Sequence, residues 1–71
     1  MRDWRVIVGD NVRSLRLARK MTQERLAFAA ELDLTYIGGI ERGRRNPSLL
    51  AMVRIAEALD ASMAELIATD D

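Results

Sequence analysis

The stretch TQERLAFAAELDLTYIGGIER, residues 22–42, decides which fold this chain can adopt. Thr22 is a favourable N-cap and Glu24 puts a negative charge in the first turn, so a helix is predicted over about 23–30. The next three residues, 31–33, are too few for anything except a tight turn. A second helix is therefore expected to begin almost immediately.

That second helix is predicted over about 34–41, with Asp33 as its cap. Ile37 and Ile40 are spaced like one face of a helix. The Gly38-Gly39 pair stands between them, and each glycine costs about 1 kcal/mol relative to alanine inside a helix. The glycines could instead end the helix at Ile37. Two helices joined by so short a turn have the spacing of a helix-turn-helix.

Three further helices are predicted outside this pair. An apolar stripe along residues 5–19 predicts the first helix, and apolar residues at the 3.6-residue period from 49 to 59 predict the fourth. Either Ser48 or Asn46 would cap the fourth helix. The segment 62–65 (SMAE) is a complete capping box and opens a short fifth helix. No alternating β-branched run supports a strand, so the prediction is one all-α domain that spans the chain.

Composition restricts the classes of function. The 71 residues include no cysteine and no histidine, which excludes disulfides and thiolate metal sites and removes the commonest general base near neutral pH. No nucleophile and base can be paired, so no enzyme, cofactor, metal site or small-molecule ligand is expected. No apolar run approaches the ~20 residues of a membrane span, and no signal peptide opens the chain. We therefore expect a cytoplasmic protein that does not enter membranes.

Charge is unevenly distributed, although the chain carries 11 basic and 11 acidic residues. Residues 12–46 hold eight basic side chains against four acidic ones, a net charge of +4. Residues 47–71 hold one basic side chain against five acidic ones, a net charge of −4. A basic middle and an acidic end predict one cationic face and a polyanionic partner. Surface charge scattered without function is the alternative.

Beyond these local patterns, the chain resembles the lambda-repressor-like helix-turn-helix family, also called the Cro/cI or XRE type, over about residues 6–68. The resemblance implies a five-helix domain with its motif over about 22–42. It further implies a homodimeric transcriptional regulator of bacterial or phage type, bound to an inverted-repeat operator in double-stranded DNA and through it to the nucleoid. Repressor, operon controller and antitoxin-like autoregulator remain equally open. The matching stretches are Gly9, Val12-Arg13, Leu15-Arg16, Met21-Thr22-Gln23-Glu24, Leu26-Ala27, Tyr36-Ile37, Ile40-Glu41-Arg42-Gly43, Arg45-Asn46-Pro47-Ser48-Leu49, Ile55-Ala56-Glu57-Ala58-Leu59, Ser62 and Glu65-Leu66.

The resemblance implies that helix 34–41 lies in the major groove and reads base edges from four of its positions. Leu34 can contact a thymine methyl group, and Thr35 can form one hydrogen bond to a base. Gly38 and Gly39 offer no side chain, but they would let the helix backbone sit closer to the DNA.

The family also implies phosphate contacts around this helix. Gln23, at the start of helix two, would hold a phosphate together with backbone amides and the helix dipole. Arg42 would make a second contact. Tyr36 could either pack against helix two or donate to a phosphate. The loop that follows supplies the remaining candidates, Arg44, Arg45 and Asn46, although its arginines could equally be solvated.

Four charged positions are expected to have structural roles. In the family, Arg16 and Glu41 pair inside the domain, so Arg16 is not expected to contact DNA. Glu31 and Lys20 stand where the family usually has glycine. Such positions often require a left-handed backbone, which costs of order 1 kcal/mol at residues other than glycine. Either the turns differ slightly from those of the family or modest strain is accepted.

The C-terminal segment is the expected dimer interface. Met63 and Leu66 match core positions of the family, which leaves Ile67 on an outer face near Leu50. Exposed apolar clusters on small proteins mark contacts. The alternative function is a protein-interaction module of the same fold with weak or lost DNA reading, because helix three offers few hydrogen-bonding groups.

Overall fold

The computed structural model describes residues 2–70, in which every regular element is a helix. This confirms the all-α prediction, and the first three helices agree with their predicted bounds to within one residue. None of the helices between residues 2 and 70 is long and apolar enough to cross a membrane. The elements are α1 (Trp4–Ala18), α2 (Gln23–Ala30), α3 (Leu34–Glu41), α4 (Leu49–Ala58) and α5 (Met63–Leu66).

Polar side chains begin the helices as predicted. The hydroxyls of Thr22 and Ser48 each accept a hydrogen bond from the backbone N–H three residues later, at 3.0 and 3.1 Å. The Asp33 carboxylate accepts from the N–H two residues later, at 2.7 Å. Ser48 and not Asn46 therefore caps α4. The capping box over 62–65 is also present. Because each cap satisfies a backbone donor that the helix itself cannot, short helices can begin at defined residues.

The core is formed by buried apolar side chains from all five of these helices. Both α1 and α2 pack on α3, and α2 also packs on α4. Gly9 of α1 sits directly against the carbonyl oxygen of Ile40, where a Cβ atom would overlap that oxygen. Close packing of α1 on α3 therefore requires glycine at residue 9. The fully buried large side chains are Val12, Leu26, Ile37, Ile40, Ile55, Leu59 and Leu66.

Each of the four longer helices ends in a left-handed residue. Lys20 and Glu31, which stand where the family usually has glycine, both have φ of 57°, so strain is accepted at these turns. Asp60, for which no left-handed backbone was predicted, has φ of 52°. At α3 the same position is Gly43, with φ of 73°. In all four cases the next backbone N–H bonds to the carbonyl five residues earlier, at 2.8–3.1 Å, which is the Schellman pattern. Three of the four helix ends thus accept the strain of a non-glycine residue.

A buried ion pair joins α1 to the end of α3. Arg16 Nε donates to Glu41 Oε2 at 2.7 Å, and its Nη2 donates to Oε1 at 3.0 Å. The third guanidinium nitrogen, Nη1, donates to the carbonyl of Met21 at 2.7 Å. The hydrogen bonds to Glu41 raise the pKa of Arg16 above its usual value, against an opposing effect of burial. The internal pair implied by the family resemblance is therefore present.

Replacing Glu31 by glycine should increase stability. The substitution removes the left-handed strain, worth up to about 1 kcal/mol, although glycine's greater freedom in the unfolded chain offsets part of the gain. The control is Arg54→Gly at an exposed position in the interior of α4, which should lower the free energy of unfolding by about 1 kcal/mol. Urea denaturation measures both changes, and two changes of the same sign would contradict the strain at Glu31.

Removing Arg16 should destabilise the fold strongly. Arg16→Ala leaves the buried Glu41 carboxylate without its cationic partner, and breaking one side of such a pair costs about 3 kcal/mol or more. Arg44→Ala removes an exposed arginine and should stay within about 0.5 kcal/mol of wild type. Chemical denaturation followed by circular dichroism compares the two. Equal unfolding midpoints would show that the pair does not hold the domain together.

Candidate nucleic-acid interface

The outward face of α3 is the face opposite its core residues. Ile37 and Ile40 are completely buried, and at 3.6 residues per turn Thr35 and Gly39 lie on the opposite side. Thr35 is exposed, and Leu34 at the first turn is 45% exposed. Both predicted base-contacting side chains are therefore accessible in the free protein.

The two glycines of α3 do not form the expected bare surface. The helix continues through them to Glu41, so the alternative in which it ends at Ile37 is wrong. Gly38 and Gly39 are both buried, because side chains from elsewhere cover them. A Cβ atom on Gly39 would overlap Cγ of Arg45, and a Cβ atom on Gly38 would lie 3.2 Å from Nη1 of Arg42. The backbone itself is thus not open for the close approach that the sequence suggested.

Arg45 folds back from the loop onto α3. Its guanidinium carbon lies 4.9 Å from the centroid of the Tyr36 ring, a cation–π contact. Its aliphatic stem covers Gly39 on the way. Sequence reasoning placed Arg45 on a phosphate and missed this arrangement. The double glycine was the available signal, since it left room on α3 for another side chain.

Tyr36 makes a contact that neither of its two predicted roles included. Its hydroxyl oxygen accepts a hydrogen bond from the backbone N–H of Ser48 at 3.1 Å, so it joins α3 to the start of α4. The ring packs against the edge of the core and lies beneath Arg45. The hydroxyl still has its own proton to donate, which leaves a phosphate contact chemically available.

Gln23 is held by a residue that sequence reasoning assigned only to the ion pair. Its side-chain amide donates from Nε2 to Glu41 Oε1 at 3.0 Å. Its Oε1 faces the space over Gly38, on whose other side Arg42 lies. One amide hydrogen of Gln23 remains for an outside acceptor, since an amide nitrogen carries two. The start of α2 and the end of α3 therefore converge on one polar patch.

The loop after α3 separates its candidate residues onto two sides. Arg42 and Arg44 are exposed, and the side chain of Arg44 forms no hydrogen bond or ion pair with the described residues 2–70. The backbone N–H of Arg44 bonds to the Gly39 carbonyl at 2.9 Å, which ties the loop to α3. Asn46, predicted to contact a phosphate, lines an open groove together with Trp4.

That groove, of about 500 Å³, has largely apolar walls near the predicted dimer residues. Ile67 is 48% exposed and lines it, while Leu50 is 71% exposed at the start of α4. Two further exposed residues were missed by sequence reasoning. They are Trp4 (50%) and Leu49 (69%).

Phe28 on α2 was also missed, and it is the most exposed large apolar residue described (86%). The open surface around it is formed by Thr22, Glu24 and Arg25.

Comparison with known proteins places the chain among helix-turn-helix proteins. The helix-turn-helix family model matches residues 12–66. Control protein C.BamHI of Bacillus amyloliquefaciens is 44% identical over 64 residues, covering 89% of this chain and 79% of that protein. An uncharacterized HTH-type transcriptional regulator, y4dJ of Sinorhizobium fredii, is 36% identical over 97% of this chain and 90% of its own length.

Solved structures agree with the sequence matches. The crystal structure of the restriction-modification controller protein C.AhdI from Aeromonas hydrophila superposes with a TM-score of 0.85 at 47% identity. The superposition covers 87% of this chain and 94% of that one. With its five helices, its motif at α2 and α3 and these relatives, the chain belongs to the lambda-repressor-like (Cro/cI, XRE) helix-turn-helix family.

Proposed function

We propose that this chain is a transcriptional regulator that binds double-stranded DNA in a sequence-specific manner, with α3 in the major groove. The observation that carries the proposal is the arrangement around α3. Its outward face presents Thr35 and Leu34, and cationic or amide side chains border it on both sides. An α-helix fits the major groove, where each base pair offers a distinct pattern of donors and acceptors.

Base contacts from α3 itself are few in this proposal. The Thr35 hydroxyl forms one hydrogen bond to a base edge, and Leu34 contacts a thymine methyl group. Neither contact alone discriminates strongly. Much of the binding free energy must therefore come from the phosphates, which dominate affinity in protein–DNA complexes.

Phosphates are held from both ends of the motif. Gln23 opens α2, where the N-terminal backbone amides and the helix dipole favour an anion. Its free amide hydrogen adds a directed donor. Arg42 and Arg44 supply positive charge from the end of α3 and the loop. These contacts set the orientation of the helix but carry no sequence information.

The controllers among the relatives favour control of a neighbouring operon as the biological role. C.BamHI is named a control protein, and C.AhdI a restriction-modification controller protein. The competing function is a protein-interaction module with lost DNA reading, which the sparse base-contacting face of α3 favours. The retained arginine loop and Gln23 favour DNA binding, since a module that bound only protein would need no phosphate contacts.

Selection of bound sequences from random duplex DNA, at two salt concentrations, separates these functions. We expect enrichment of an inverted repeat at both concentrations, with weaker retention at the higher one. Recovery of no enriched sequence would reject the regulator and leave the interaction module.

Arg44→Ala should weaken binding to all sequences by a similar factor. A true phosphate contact also reduces the slope of log Kobs against log salt concentration by about 1. Titration of a labelled duplex over a range of salt concentrations measures both quantities. Arg13→Ala is the control, because Arg13 is exposed on α1 and outside the motif. If Arg44→Ala and Arg13→Ala change the slope equally, the side chain of Arg44 does not contact a phosphate.

Two-fold pairing of chains completes the proposal. One short helix in one groove seldom supplies both affinity and specificity, whereas a dimer places its second helix about 34 Å away, one DNA turn along the same face. The exposed apolar residues beside the groove, Leu49, Leu50, Ile67 and Trp4, form a single candidate surface. Contiguous exposed apolar patches on small proteins mark interaction sites, so this surface is proposed as the homodimer interface.

Ile67→Asp should convert the dimer to a monomer, because it buries a charge in the proposed interface. Sedimentation velocity at micromolar concentration measures the mass of each species. Phe28→Asp is the matched control, since Phe28 is exposed on α2, outside this surface. A wild-type monomer would reject the interface. So would an Ile67→Asp variant that still dimerises, or a Phe28→Asp variant that does not.

A further inference from the structure

The Arg45 side chain follows the path that a side chain at residue 39 would take. In helices, side chains point back toward the N-terminus and lie over the preceding turn. The stem of Arg45 occupies the position of the absent Gly39 Cβ, and its guanidinium lies over Tyr36, three residues earlier. The loop thus places an arginine where α3 has no side chain of its own.

Several contacts hold Arg45 in this position. The Tyr36 ring beneath it is fixed by the hydrogen bond from Ser48 to the phenol oxygen. The loop is tied to Gly39 by the backbone hydrogen bond from Arg44. Gly43, in the left-handed region, turns the chain back toward α3. The arginine is therefore positioned before any DNA is bound, which lowers the entropy that binding must remove.

We propose that Gly39 determines specificity through Arg45, and that Arg45 contacts a guanine base edge and not a phosphate. This rests on the proposed function. Gly39 lies on the outward face of α3 with Thr35, so the guanidinium over Tyr36 is part of the surface presented to the groove. The planar guanidinium donates two parallel hydrogen bonds to O6 and N7 of guanine, the commonest specific contact in the major groove. Gly39 is here a positioning residue, since it contributes no atom to the base contact.

The first test examines the free protein. Ring currents from Tyr36 should shift the Cγ and Cδ proton resonances of Arg45 upfield in the wild type. Gly39→Ala should abolish the shift, because the added methyl group overlaps the Arg45 stem. Gly38→Ala adds the same methyl group one residue earlier, where it meets only Gln23 and the flexible end of Arg42, and should keep the shift. Unshifted wild-type resonances would overturn the proposal without bearing on DNA binding.

The second test uses the inverted-repeat duplex selected by the wild type, together with duplexes in which each base pair of the half-site is changed in turn. Arg45→Ala should lose about tenfold discrimination at one G·C pair and little elsewhere. Gly39→Ala should lose discrimination at the same pair, and the double variant should lose no more than either single variant. Arg13→Ala, at an exposed position of α1 outside the motif, should discriminate as the wild type does. Circular dichroism verifies that every variant is folded.

Any other outcome contradicts a specific part of the proposal about Gly39 and Arg45. Equal weakening for all sequences in Arg45→Ala would make Arg45 a phosphate contact. Unchanged discrimination in Gly39→Ala, or additive losses in the double variant, would remove Gly39 from any role in specificity. If the wild type selects no sequence at all, the proposed function fails and the base contact fails with it. If it selects one that Arg45→Ala reads equally well, only the inference about Arg45 and Gly39 fails.

Discussion

The Glu41 carboxylate is the group on which the arrangement of this domain depends. It accepts two hydrogen bonds from Arg16 of α1 and a third from Gln23 of α2, while belonging itself to α3. A buried charge is tolerated only when its hydrogen-bonding capacity is filled, and no buried side-chain polar atom lacks a partner among the described residues. Three helices are therefore held in one relative orientation by one carboxylate. Because Gln23 is also a candidate phosphate contact, the same group joins the core to the proposed DNA surface.

The helices α1 to α4 all end in the same way. Each of α1 to α4 ends in a left-handed residue, followed by a backbone hydrogen bond to a carbonyl five residues back. This ending reverses the chain within a few residues, which lets α1 to α5 pack against one another in so small a domain. At the end of α3, this helix ending also directs the arginine loop back onto α3.

The proposed recognition surface is consequently assembled from α3 and the loop that directly follows it. α3 contributes Thr35 and Leu34, and the loop contributes the charged side chains that cover its glycines. Such a surface explains how α3 remains helical through two glycines and still has side chains beside it that can contact DNA. The helix-propensity cost of the glycines is offset by the burial of Ile37 and Ile40 on one side and by the arginines packed on the other.

The sequence by itself determined the features that depend on local chemistry. The caps at Thr22, Asp33 and Ser62, the three-residue turn and the apolar period each involve residues within a turn of one another, so spacing was sufficient. Family resemblance added the Arg16–Glu41 pair and identified Glu31 as standing at a usual glycine position. Only the tertiary structure decided that Tyr36 bonds to the start of α4, that Gln23 shares Glu41, and that Arg45 covers Gly39. These contacts join side chains of different elements, and their directions depend on how the helices and loop pack in three dimensions, which no periodicity along the chain encodes.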